Sequence, residues 1–531
     1  MLRKYIASVL LTLISAIGLR AADLPGDLTV KIRNNEYWWP GVVALGEKLP
    51  FDKETNLSFD LNTANGGNQT QPMLIASSGR LIWSDKPFKF EFREGEILIT
   101  ETKGKVQLIE AGKNLKEAYR YASRNFFPPS GKMPAEVMFQ VPQYNTWIEL
   151  MYDQNQRDIL KYAHDIIDNG LPPGVLMIDD NWQEDYGKWN FHEGRFSDPK
   201  AMMKELHGMG FKVMLWVCPF VSPDCDEFRA LSAKKAFLID GATGEPKMVK
   251  WWNGYSAVLD LSHPEAVKWF KSKLDRLQDE YGVDGYKLDA GDNRFYTGNV
   301  KSYVPGMTPT EHSASFGEIG LDYPLNEYRA MWKMAGQPLA QRLHDKNHDW
   351  GALYKLIPQL ATQGVSGYAF TCPDMIGGGQ YKSFLEGAII DQELIVRSAQ
   401  CHALMPMMQF SVAPWRVLDK EHLKKCLDAV KIRDEVIDDI MRLAKDAKDS
   451  GEPIVRLMEY NYPQQGFHKV RDQFMLGDEI LVAPVIKKGA RKRAVILPPG
   501  KWVSTKGKTF RGPKTITVDA PLDEIPYFRK K

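Results

Sequence analysis

Between residues 137 and 450 the chain alternates in a way that leaves few folds open. Apolar runs of strand length follow amphipathic stretches of helix length: "GVLMIDD" after "QRDILKYAHDIIDNG", "GFKVMLWVCPF" after "DPKAMMKELHGM", and "DGYKLDAGD" after "HPEAVKWFKSKLDRLQDEYGV". Repeated βα units predict a parallel sheet, and about 310 residues of them favour a (β/α)8 TIM barrel with insertions. Residues 23–136 read differently. Runs such as "DLTVKIR" and "KFEFREGEILITETKGKVQLIE" alternate with period two, the mark of half-buried antiparallel strands, and predict an N-terminal β-sandwich. From residue 451 to 531 strands return, predicting a C-terminal all-β domain. The polar, Gly-rich stretch "NRFYTGNVKSYVPGMTPTEHSASFGEIG" reads as a loop shaping the mouth of the barrel.

Residues 1–22 carry Arg3 and Lys4, an apolar run to about Leu19, then Ala21 and Ala22. That order reads as a secretory signal peptide; an uncleaved anchor is the other reading. The expectation is an exported protein, periplasmic or secreted, with no membrane insertion once the signal is removed. The five cysteines are an odd number and lie mostly in apolar segments, so buried thiols are expected rather than a disulfide framework. Lys and Arg total 69 against 67 for Asp and Glu, which gives no electrostatic case for nucleic acid or an anionic membrane as partner. The same balance argues for a substrate that is not highly charged.

Several apolar runs end in acids and aromatic residues. On the strand "DGYKLDAGD", alternation puts Gly285, Lys287 and Asp289 on one face and Tyr286, Leu288 and Ala290 on the other. If the apolar set packs on the helices, Lys287 and Asp289 point into the lumen at the C-terminal mouth, where barrel enzymes place their chemistry. Lys287 would then hold Asp289 ionised. A buried structural ion pair is the plainer reading of the same residues. Asp179, Asp180 and Trp182, Trp216, Arg342 with Asp345, and Asp374 end or follow other runs. Together they predict a polar, Trp-lined cup suited to a sugar, with aromatic faces against C–H groups and carboxylates accepting hydroxyl hydrogens. Trp147, Trp251 and Trp252 read equally as outer subsites or packing residues.

Cleavage of a glycosidic bond needs two carboxyl groups, one acting as nucleophile or base and one as proton donor. Asp289 suits the first role. Asp345 suits the second, where partial burial against Trp350 would hold its proton, but the residues alone leave Asp349 and Asp374 open. His344 and His348 are assigned no role.

Four blocks carry a resemblance over nearly the whole mature chain: "LMIDDNWQEDYGKWNFHEGRFSDPKAMMKELHGMGFKVMLWVCPFV", "GVDGYKLDAGD", "RLHDKNHDWGALYKLIPQLATQGVSGYAFTCPDMIGG" and "DQFMLGDEILVAPVIKKGARKRAVILPPGKW". In order, they resemble glycoside hydrolase family 31, the retaining α-glycosidases, and most closely its branch with the myogenesis-regulating glycosidase and bacterial α-galactosidases. The resemblance implies that Asp289 is the nucleophile of the K-x-D strand. It implies that Asp345, five residues before a Trp, is the acid/base. It also implies that Arg342 and Asp374 contact the sugar and that Trp216 forms part of the wall. The implied reaction is a double displacement on an oligosaccharide or other glycoside, with carboxyl groups about 5 to 5.5 Å apart and no cofactor or metal. Two departures point toward galactose: Met177 stands where α-glucosidases of the family usually have an acid, and Ser411 near where they place a histidine. Three other readings stay open: an α-glucosidase, α-xylosidase or other α-glycosidase of the same family, a sugar-binding protein without turnover, and a hydrolase with a metal on Asp179, Asp180 and Asp289. Oligomeric state, linkage and aglycone are not fixed by the sequence.

Overall fold

The computed structural model describes residues 27–531; the stretch read as a signal peptide lies outside the described residues. Eight short parallel strands form the central sheet: β1 (Gln143–Asn145), β2 (Val175–Ile178), β3 (Lys212–Val217), β4 (Gly285–Leu288), β5 (Asn326–Tyr328), β6 (Gln341–Arg342), β7 (Thr371–Cys372) and β8 (Gln409–Phe410). They neighbour one another in chain order, with β8 returning to pair with β1. Between β7 and β8 the Ile376 N–H donates to the Gln409 carbonyl at 2.8 Å. The result is the barrel that the alternating βα units predict.

Alternation along the strands separates two cores. Leu176, Ile178, Val213, Leu215 and Val217 join the cluster that includes the outer helices, whereas Val175, Met177 and Met214 belong to a second cluster with Leu343 and Cys372. Register aligns the inward residues into rows: Met177 beside Met214 beside Gly285, and one layer higher Trp216 beside Lys287 beside Glu327. Gly285 is required in its row, since a Cβ there would lie 1.9 Å from the Leu325 carbonyl oxygen. The side chains at the C-terminal strand ends are thereby aimed into one space.

The N-terminal part holds two antiparallel layers. One runs Leu28–Lys31, Glu96–Thr100, Lys89–Arg93, Leu57–Asp60; the other has Gln69–Ala76, Arg80–Ser84 and Val106–Glu110, with Trp38–Val42 against Gln69–Ala76. Their apolar faces share one core, including Trp38, Trp83, Phe90 and Ile97. A helix, Leu115–Phe126, follows them, capped by Asn114 accepting from the Glu117 N–H. The second layer gains a strand from elsewhere: Met331–Trp332, just beyond β5, pairs with Gln69 and Thr70. This joint ties the N-terminal part to the barrel mouth.

The stretch read as a mouth loop contains a helix instead, Pro309–Ile319. Thr308 and Glu311 form a reciprocal capping box and Pro309 opens the first turn. At the far end, the 31-residue helix Lys420–Ser450 leads into a six-stranded antiparallel sheet closed by the long hairpin Lys492–Ser504 and Thr509–Asp519. All five cysteines are free and buried, as their apolar surroundings predict. Among the described residues, no helix is long and apolar enough to cross a membrane.

Candidate active site

A cavity of about 460 Å³ opens at the C-terminal ends of the barrel strands. Asp179, Asp180, Trp216, Lys287, Asp289 and Asp345, all named from the sequence, line it.

Asp289 follows β4 directly. Its Oδ1 accepts from the Ala290 N–H (2.7 Å) and from Arg329 Nε (3.0 Å), and its Oδ2 accepts from Trp216 Nε1 (3.2 Å). The chain turns sharply here, with Ala290 in the left-handed region at φ +62°. A non-glycine residue held there costs about 1–2 kcal/mol and persists only where its surroundings fix it. Burial pushes the Asp289 carboxyl up, but Arg329, then Lys287 and Arg342, outweigh it and hold the group far below the usual carboxylate range. The anion foreseen at Asp289 is present; its main counter-charge is different. Lys287, buried in the lumen, donates to Asp179 Oδ2 at 2.5 Å, because the inward row places its ammonium against the neighbouring strand end. Burial, the largest single influence, would lower the Lys287 pKa, but Asp179, Asp289 and Glu327 together raise it above its ordinary value.

Arg329, which also lines the cavity, was not singled out from the sequence. It follows β5, and besides Asp289 it donates to Asp292 through Nη2 (2.6 Å) and Nη1 (3.2 Å) and to the Gly67 carbonyl (2.9 Å). The N-terminal part therefore reaches the site. Asn68 and His344 are bonded there, with Nδ2 and Nδ1 2.7 Å apart, and Gln69 donates to the backbone oxygens of Arg329 and Arg342. Burial, with Lys346 and Arg329 nearby, drives the His344 pKa down to about 3, so this cavity-lining ring is neutral.

Asp345 sits on the loop after β6, its Oδ1 accepting from Arg342 Nη1 at 2.7 Å. Arg342 is itself buried, and also donates to Glu327 Oε1 (3.0 Å) and Asp374 Oδ1 (3.3 Å). The expectation that Trp350 would hold a proton on Asp345 is not met. Trp350 Nε1 donates to Asp391 (3.0 Å), and although burial raises the Asp345 carboxyl, Arg342 and Lys287 bring it below its ordinary value. Arg342 and Asp374, expected against the sugar, do not line the cavity; they lie behind Asp345 and fix it. Asp374 accepts from the Lys346 and Gly379 N–H groups (2.6 and 2.9 Å) and is pushed up to about 6, first by burial and then by Asp345. A Cβ on Gly379 would meet Asp374 Oδ1 at 2.5 Å and Asp345 Cγ at 3.1 Å, so only glycine leaves this pair in place.

Asp179 and Asp180 form the opposite wall. Asp180 accepts from Tyr186 Oη at 3.0 Å and from Asn253 Nδ2, which come from loops after β2 and β3. Burial, then the neighbouring Asp179, raises its carboxyl to about 7. Trp182, predicted to contact substrate, is fully buried instead. It donates Nε1 to the Trp216 carbonyl (2.8 Å) and packs on Phe191 and Trp189, holding the strand end that carries Trp216. Trp147 and Trp252 line the cavity, while Trp251 stacks behind Trp216 at 6.3 Å. Met177 and Ser411, the two departures that pointed toward galactose, lie outside the lining: Met177 is buried in the barrel and the Ser411 hydroxyl accepts from the Ile148 N–H (2.9 Å). Among the described residues, no group of three or more His, Cys, Asp or Glu side chains is placed to hold a metal ion, and Asp179, Asp180 and Asp289 are each bonded to protein donors.

Comparison with known proteins agrees with this fold. Residues 132–441 match the glycosyl hydrolases family 31 TIM-barrel domain, and residues 451–531 the family's C-terminal domain. Mouse myogenesis-regulating glycosidase is 34% identical over 429 residues, 78% of this chain and 60% of its own length. The α-xylosidase XylQ of Lactiplantibacillus pentosus is 24% identical over 91% of this chain and 66% of its own. The chain thus spans about 60% of the mouse relative. Among solved structures, an α-xylosidase from a soil metagenome complexed with xylose superposes with a TM-score of 0.84 at 20% identity, covering 95% of this chain and 79% of that one. A Flavobacterium johnsoniae dextranase complexed with glucose gives 0.81 at 21%, covering 96% and 67%. With the barrel and the C-terminal domain both matched in order, the chain belongs to glycoside hydrolase family 31.

Proposed function

We propose that this protein is a retaining exo-α-glycosidase acting on terminal α-linked sugars, with α-galactosides as its first substrate class. The observation that carries the reading is the pairing of a fixed anion, Asp289, with a second carboxyl group, Asp345, on one cavity at a barrel mouth. Asp289 attacks the anomeric carbon while Asp345 protonates the leaving oxygen. Asp345 then takes a proton from water, which releases the sugar with its α-configuration retained. Arg329 and Trp216 aim the nucleophile; Arg342 aims the acid/base.

The galactose assignment is supported by the Asp179–Asp180 wall, which offers carboxyl oxygens to sugar hydroxyls. Met177 and Ser411 add nothing to it by contact, so it rests on that wall alone. Hydrolysis of p-nitrophenyl α-galactoside, α-glucoside, α-xyloside and α-N-acetylgalactosaminide tests it. Selective release from the α-galactoside is expected. Release from another α-glycoside would keep the mechanism and replace the sugar, and release from none would point to a demanding natural aglycone or to a sugar-binding protein without turnover.

A further inference from the structure

Three of the four carboxylates on the cavity have cations of their own: Asp289 has Arg329, Asp345 has Arg342, and Asp179 has Lys287. The fourth, Asp180, is held by neutral donors. Two further cations on the same cavity, Arg294 and Lys382, hold none of these four carboxylates.

Arg294 follows β4 by six residues and its side chain is 64% exposed. Its nearest carboxylate is Asp292, 4.0 Å from Nε, and both oxygens of that group already accept from Arg329. The guanidinium is nevertheless positioned: it lies over the Phe295 ring at 4.8 Å, and Phe295 packs on Phe220 and on Trp252. Lys382 is exposed on the turn Tyr381–Phe384, and it forms no ion pair among the described residues. Trp252, also half-exposed on the cavity, gives an apolar face near Arg294. An aromatic face with two solvent-facing cations, one unpaired and one only loosely paired, recognises a group that is both planar or ring-shaped and anionic.

We infer that the cavity mouth is a leaving-group subsite for an aglycone bearing an oxyanion, a carboxylate, sulfate or phosphate, bound by Arg294 and Lys382 beside Trp252. The inference rests on the glycosidase reading and adds the class of aglycone. It also qualifies the expectation, from the overall charge balance, of a substrate that is not highly charged: a near-zero total says nothing about where single charges sit. Because both cations face solvent, the effect is graded and salt-sensitive rather than absolute.

The test uses two α-glycosides of whichever sugar the protein releases, one of 4-hydroxybenzoate and one of 4-hydroxybenzamide. These differ mainly in charge at the far end of the ring. The anionic-to-neutral ratio of kcat/KM is measured for the unaltered protein, Arg294→Gln, Lys382→Gln and the double variant. The ratio is expected to fall about tenfold in the double variant, in line with the loss of charge-assisted hydrogen bonds, and to fall in the unaltered protein as salt rises. A stronger response to a sulfonated or phosphonated ring, lost in the same variants, would support the inference and identify the oxyanion. A ratio that neither substitution moves would overturn it while leaving the glycosidase reading intact. Cleavage of neither glycoside, with the sugar still released from its p-nitrophenyl glycoside, would likewise overturn the subsite and leave the glycosidase reading intact.

Discussion

Asp289 and Asp345 share one cavity, but the ends of β4 and β6 hold them in opposite ways. The Asp289 side chain is 13% exposed and meets three donors on two oxygens, at the end of a strand whose next residue is locked in the left-handed region. The Asp345 side chain is 38% exposed, sits on a loop, and has one cationic partner that it shares with Glu327 and Asp374. A nucleophile has to keep its charge and its aim, which fixed donors secure. An acid/base has to gain and lose a proton in every cycle. When Asp345 takes up a proton, Arg342 still faces two carboxyl groups and is not left as an unpaired buried charge. On the proposed reading, the difference between the two sites follows the difference between their tasks.

That comparison can be broken at either end. Asp289→Ala is expected to lower kcat by about 10⁴-fold or more on every substrate, since the proposed covalent bond forms on its carboxylate; steady-state kinetics on activated and unactivated glycosides would detect an exception. Asp345→Ala should cost about 10²- to 10⁴-fold with a poor leaving group and far less with an activated one. Azide should restore cleavage of the activated substrate by replacing the missing base. Full activity on a poor leaving group would remove Asp345 from its role. Arg329→Met should reduce kcat/KM by about 10²-fold, the scale of losing one oriented electrostatic partner, and should move the acidic limb of the pH profile upward as the Asp289 carboxyl becomes easier to protonate.

The smallest effect contrasts the two walls through stability. Asp289 has a depressed carboxyl, so its stabilising contribution is present above the ordinary value of 3.8 and is lost as pH falls through the lower folded value. Asp180 works the other way: between 3.8 and about 7 the folded form keeps a proton that the unfolded chain has released, so stability falls as pH rises through that window. Thermal unfolding of Asp180→Asn across that range should show a flatter pH dependence than the unaltered protein. An unchanged slope would place the Asp180 carboxyl back in the ordinary range.

Much of this was legible in the sequence because strands and lumen follow local rules. Period-two alternation put Asp289 and Lys287 on the inward face, and the βα repeat put them at a barrel mouth. Partner choice was not local. Lys287, two residues from Asp289, bonds to Asp179 on another strand, and the counter-ion of Asp289 comes from beyond β5, whose three residues are too few to show any period. Gly67 and Asn68 were read as part of a separate sandwich, and only the pairing of Met331–Trp332 with Gln69–Thr70 brings them to Arg329 and His344. The helix Pro309–Ile319 had a visible start in "TPTE", but it buries Ser313 and Gly317 along with Phe316, so no apolar stripe marked it. Trp182 was misplaced because aromatic residues after a strand can turn toward the cavity or behind it, and sequence carries no sign of which.

The central claim is a covalent glycosyl-enzyme formed on Asp289. The most direct test is to incubate the protein with the 5-fluoro α-glycosyl fluoride of the sugar it releases, digest it, and sequence the labelled peptide by mass spectrometry. The account predicts one added glycosyl unit, on the Asp289 carboxyl in "GYKLDAGD". A glycosyl unit on another residue, or turnover of the reagent to a product of inverted configuration with no adduct, would contradict it.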